Sequence, residues 1–71
     1  MTILDCKVDS DEKNEQRMVR NENGTFSLQF RSTKRSKDKW TTFYTTRNLD
    51  NARKQFLTDF SRKASSFGYG L

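Results

Sequence analysis

The sequence predicts a small α+β domain: a three-stranded antiparallel sheet packed against one C-terminal helix, with residues 2–8 as a candidate fourth strand. Three observations carry this. Phe26, Leu28 and Phe30 alternate with Ser27, Gln29 and Arg31, the period of a half-buried strand. Asn21 to Gly24 (NENG) places Asn and Gly, the residues that accept positive φ, between two extended stretches. Leu49, Ala52, Phe56 and Phe60, with Leu57 beside them, form a single apolar stripe at helical spacing.

Taken in order, residues 1–16 form an acidic, polar N-terminal segment. Leu4, Cys6 and Val8 alternate with Asp5 and Lys7, which suits a short strand. Asp9 to Gln16 (DSDEKNEQ) carries no apolar residue and reads as a solvated loop. Its acids lack the spacing and the bend glycine of a calcium loop, so no metal site is expected. Residues 17–64 form the sheet-and-helix core. Arg17 to Arg20 can extend as a strand, and Thr25 to Arg31 is the clearest strand in the chain. Ser32 to Asp38 (STKRSKD) reads as a basic hairpin loop.

Lys39 to Thr45 (KWTTFYT) is β-branched and aromatic, as strands prefer. Its register has two solutions. Trp40, Thr42 and Tyr44 share one face, and Thr41, Phe43 and Thr45 share the other. Burying two large rings favours Trp40 and Tyr44 inside. The reverse register would expose both rings beside the basic loop, as a stacking platform for single-stranded nucleic acid. Asn48 is the expected N-cap, Asp50 suits the positive end of the helix dipole, and the helix is expected to run to about Ala64. Residues 65–71 (SSFGYGL) form a tail whose Phe67 and Tyr69 could dock on the body or engage a partner. Burying either ring stabilises by about 1.5–3 kcal/mol.

Composition narrows the functional classes. Only 31% of the 71 residues are hydrophobic and 32% are charged, so one domain with a small aromatic core is the limit. There is no histidine, and the single cysteine, Cys6, has no sequence-local group to activate it. No glycine-rich phosphate loop and no Cys/His metal spacing occurs. The expectation is a non-enzyme without cofactor. One cysteine forms no internal disulfide, and no stretch approaches the length of a membrane span or a signal peptide. A cytoplasmic location without a membrane partner is therefore expected, and the oligomeric state stays open.

Charge points to a polyanion. The net charge is +5, unevenly spread: residues 1–22 balance to −2 and residues 23–71 to +7. Arg31, Lys34, Arg35, Lys37 and Lys39 fall within nine residues, where they could follow a phosphate backbone. Ser27, Gln29 and Thr41 are the candidates for contact with base edges, since a two-stranded ribbon fits the major groove and Gln can pair with adenine. The predicted function is non-catalytic nucleic-acid binding, with duplex DNA ahead of RNA. The same lysines would also suit a solvated loop that shields a sheet edge. The alternative function is a small protein-binding modulator, for example a phage-encoded inhibitor of a host protein, using Phe67, Tyr69 or an exposed strand aromatic.

The run NGTFSLQFR, a basic connection, KWTTFYTT and NLDNARKQFL resembles the small DNA-binding domains at the N-termini of tyrosine-recombinase integrases, over residues 17–62. The ethylene-response transcription factors of plants share that architecture. The features that match are Gly24, Phe26 to Arg31, Lys34 to Lys39, Phe43 to Thr46 and Ala52. The loop between the last two strands lacks the usual glycine, and the helix starts about two residues late against the family pattern. The resemblance implies a sheet that enters the major groove with a helix behind it. With no recombinase catalytic domain following, it implies a detached DNA-binding module, a regulator or accessory protein.

Overall fold

The turn Asn21 to Gly24 closes the central hairpin. Thr25 O accepts from Asn21 N–H at 2.8 Å, Asn21 O accepts from Gly24 N–H at 3.1 Å, and Gly24 takes the φ of +85° that glycine tolerates without strain. The computed structural model describes residues 1–35 and 39–69, Arg35 by its backbone. Four strands, β1 (Thr2–Val8), β2 (Asn14–Arg20), β3 (Phe26–Ser32) and β4 (Thr41–Thr46), form an open antiparallel sheet in the order β1-β2-β3-β4. A 3₁₀ turn, Thr33–Arg35, leaves β3. Helices α1 (Leu49–Leu57) and α2 (Phe60–Lys63) follow β4, and a second 3₁₀ turn, Ala64–Phe67, is the last element before Gly68 and Tyr69. The fold is α+β, as the sequence predicts, with the fourth strand present. No helix among the described residues is long and apolar enough to cross a membrane.

Register sorts the side chains into two faces. Residues paired across strands share a face. On the helix side, Met18 lies opposite Leu28, and Leu28 opposite Tyr44; Gln16 lies opposite Phe30, and Phe30 opposite Thr41. Met18, Leu28, Ala52 and Phe56 are buried together, with Phe26, Phe43, Tyr44 and Leu49 packed around them. A second cluster is aromatic. Phe60 is fully buried and stacks on Phe30 at 3.8 Å between centroids, while Phe43 meets both rings edge-on. The tail docks here. Phe67 contacts Phe43 and Tyr44, and Tyr69 contacts Phe30 and Phe60. Both tail rings thus dock on the core and are half-buried there.

Strand β4 adopts neither register in full. A bulge shifts the pairing between Leu28 and Gln29, so that Leu28 faces Tyr44 but Gln29 faces Thr42. Phe43 is the extra residue, and it joins Tyr44 on the helix side. Two adjacent rings are thereby half-buried against the helices where strict alternation would turn only one of the pair that way. The cost falls on Trp40 and Thr42, which move to the opposite face. The expectation that Trp40 is core is therefore corrected.

The expected solvated loop, Asp9 to Gln16, holds only for Ser10 to Lys13, which are exposed, while Asn14 already opens β2. Asp9, Asn14 and Gln16 are buried. The Asp9 carboxylate accepts from Phe60 N–H at 2.8 Å, Ser61 N–H at 3.3 Å and Gln16 Nε2 at 2.8 Å. Gln16 also donates to Thr58 O at 3.1 Å. This capture of backbone N–H groups by Asp9 explains why the predicted single helix breaks. Asn48 caps α1 as expected, its Oδ1 accepting from Asn51 N–H, but Thr58 and Asp59 are extended and a new helix starts at Phe60.

Lys63 closes the break from the other side. Its ammonium donates to Gln55 O and to Thr58 O, adding a donor to carbonyls that already accept from Thr58 N–H and Gln16 Nε2 at the end of α1. Burial pulls its pKa down to about 8 from the usual 10.5, against the pull of Asp9. Between those values the unfolded chain holds the proton and the native chain releases it. Stability should therefore rise as pH climbs from about 8 towards 10.5. Denaturant midpoints across that window should show the rise, and Lys63→Met should flatten it relative to wild type.

Candidate nucleic-acid interface

The sheet face away from the helices is built in three rows. One runs Val8, Glu15, Arg31; the next Cys6, Arg17, Gln29, Thr42; the third Ile3, Val19, Ser27, Thr45. Trp40, one residue before Thr41, lies on this face. The guanidinium carbons of Arg17 and Arg31 sit 4.5 and 4.3 Å from its ring centroid, within the range of cation–π attraction.

Hydrogen bonds fix the middle row. Arg17 Nε donates to Gln29 Oε1 at 2.6 Å, and Gln29 Nε2 donates to Thr42 Oγ1 at 3.0 Å. Arg31 Nε donates to the Glu15 carboxylate. Each guanidinium thus spends its Nε on the scaffold, and its Nη edge makes no hydrogen bond among the described residues. Burial lowers the pKa of Arg17 below its ordinary value and nearby Arg31 adds to the drop; an arginine nevertheless stays cationic at neutral pH. The two cations are held against one ring, and only Arg31 is paired with a carboxylate among the described residues, that of Glu15.

The residues singled out in the sequence divide between this face and its rim. Gln29 and Arg31 are on the face and half-buried. Lys34 and Lys39 are exposed at the end of the sheet, and Arg35 belongs to the 3₁₀ turn after β3. Lys37 lies outside the described residues. Two expectations are corrected. Thr41 pairs with Phe30, so it belongs to the helix side; the bulge at Phe43 gives its expected place to Thr42. Ser27 is on the expected face but is buried, its hydroxyl accepting from Asn21 Nδ2 at 2.8 Å and lying 3.0 Å from Thr45 Oγ1. It serves the network and offers nothing to a ligand.

Arg17 was not singled out by its local sequence, yet it completes the pair around Trp40. A usable signal existed: with the turn at Asn21 to Gly24, hairpin pairing sets Arg17 opposite Gln29. Compared with family models, with curated proteins and with solved structures, the chain has no match.

Proposed function

We propose that the chain is a non-catalytic nucleic-acid-binding module that contacts duplex DNA through the open face of β2, β3 and β4. The observation that carries this reading is the pair Arg17 and Arg31 held against Trp40, with exposed Lys34 and Lys39 at the adjoining rim. Arginines fixed at their Nε present a planar donor edge that suits guanine O6 and N7 or a phosphate. Lysines at the rim suit phosphates, which position a protein without reading sequence. Duplex is preferred over single strand because the face carries one aromatic ring, already engaged by two guanidinium groups. A stacking platform for unpaired bases uses several free rings.

The test is anisotropy of a labelled duplex, with Trp40 fluorescence, against rising salt. If the cations of the face and rim meet about five phosphates, log K should fall against log salt with a slope of roughly −4 to −5. Lys34→Ala should make that slope shallower by about 0.9. Arg17→Ala with Arg31→Ala should weaken binding by about 10- to 100-fold, the worth of one good base contact or more. A single-strand preference would change the ligand and keep the face. Absence of binding to any nucleic acid at low salt would defeat the reading.

A further inference from the structure

We infer that the chain self-associates through β1, whose free edge pairs antiparallel with the same edge of a second copy, Cys6 lying at the two-fold axis. This does not depend on what the open face binds. Strand β1 is an edge of the sheet, and its outer side has no partner strand among the described residues. Ile3, Leu4 and Val8 of this proline-free strand are 51, 40 and 53% exposed.

Hydrogen-bond parity restricts which registers are open. Asp9 N–H bonds to Asn14 O across the β1–β2 hairpin, so Asp9 and Asn14 form a hydrogen-bonded pair. Bonded and non-bonded pairs alternate along an antiparallel ladder. Lys7 and Asp5 therefore turn their backbone groups toward β2, and Val8 and Cys6 turn theirs to the free edge. The side-chain carboxylate of Asp5 confirms the direction for Cys6, since it accepts the Cys6 N–H at 2.8 Å. A second β1 must then match Cys6 or Val8 with residues that also face outward.

Charge selects among the few registers left. Centring the two-fold on Asp5 or on Lys7 sets like charges directly against each other, and centring it on Val8 sets Lys7 against Asp9, whose carboxylate is buried and already holds Phe60 and Ser61 N–H. Centring it on Cys6 sets Asp5 of each copy against Lys7 of the other, on the side of the helices. Asp5 would release Cys6 N–H to the second copy's carbonyl and join Asp59 at Lys7, whose ammonium already lies 3.4 Å from Asp59 Oδ1. Val8 would lie alongside the irregularity between Ile3 and Asp5 of the second copy. The contact is isologous and closes on itself, the usual form of a homodimer.

The experiment is light scattering of the full chain under reducing conditions, over a concentration series. Wild type should show twice the chain mass, and Cys6→Pro should show the single mass. Proline is tolerated there because the Cys6 N–H serves no bond to β2. Circular dichroism checks that the variant keeps its fold. Should it not fold, Asp5→Lys, which sets like charges across the axis, should give the same dissociation. With oxidised glutathione as the oxidant, which takes up the two electrons and two protons of the Cys6 thiols, the dimer should become covalently linked, because opposed Cα atoms at about 5.5 Å lie within the span of a disulfide. Val8→Cys combined with Cys6→Ser should not link, since position 8 lies off the axis. Single mass for wild type at every concentration overturns the inference. So does a dimer that survives Asp5→Lys, or efficient linking through position 8.

Discussion

Replacing Phe60 with alanine should cost about 3–5 kcal/mol, a large share of the stability of a domain this small. Phe60 is fully buried and is the ring on which the second cluster converges. It stacks on Phe30, meets Phe43 at 5.1 Å and lies 5.8 Å from Tyr69. These neighbours come from β3, β4 and the tail, so a cavity at this point cannot be closed by moving one element. Denaturant unfolding would report the loss as a lowered midpoint at unchanged slope. Phe67→Ala, at a half-buried ring on the margin of the same cluster, should cost distinctly less. Equal losses at the two sites would mean that the tail, and not Phe60, closes the cluster.

The features legible in the sequence are those set by neighbours a few residues apart. The alternation of Phe26, Leu28 and Phe30 places the core side of β3 correctly. The spacing of Ala52 and Phe56 gives the buried face of α1, and Asn48 marks its start. The unread features depend on partners far along the chain. Asp9, Asn14 and Gln16 are polar residue types that ordinarily face water, and nothing local says that Asp9 will meet Phe60 N–H across 51 positions. The break in the helix has the same origin. Strand β4 contained both answers, since the outward side chains of Thr42 and Thr45 come from opposite registers. Only a bulge reconciles them, and KWTTFYT carries no glycine to announce one. The candidate interface was half legible for the same reason. Arg31 and Gln29 follow from strand alternation, whereas Arg17, Trp40 and Thr42 follow from pairing and from the bulge.

The polar junction yields the second large effect, and it separates charge from shape. Asp9→Ala should destabilise by about 3 kcal/mol, because it leaves the Phe60 and Ser61 N–H groups and the Gln16 amide without their acceptor in a closed space. Asp9→Asn should cost much less, about 1 kcal/mol. One asparagine oxygen can still accept from Phe60 N–H. The other end becomes a donor, and it faces Gln16, whose Oε1 is buried without a partner. Turning the Gln16 amide over would offer that oxygen to the new donor, which trades away its bond to Asp9 Oδ1 for one of opposite polarity. The exchange also withdraws Gln16 Nε2 from Thr58 O, but Lys63 still donates to that carbonyl at 2.8 Å. Unfolding curves for the two variants give the comparison. If Asp9→Asn is as damaging as Asp9→Ala, the negative charge opposite Lys63 is what the junction requires. If it is mild, acceptor geometry at the start of α2 is what holds the N-terminal hairpin to the C-terminal helices.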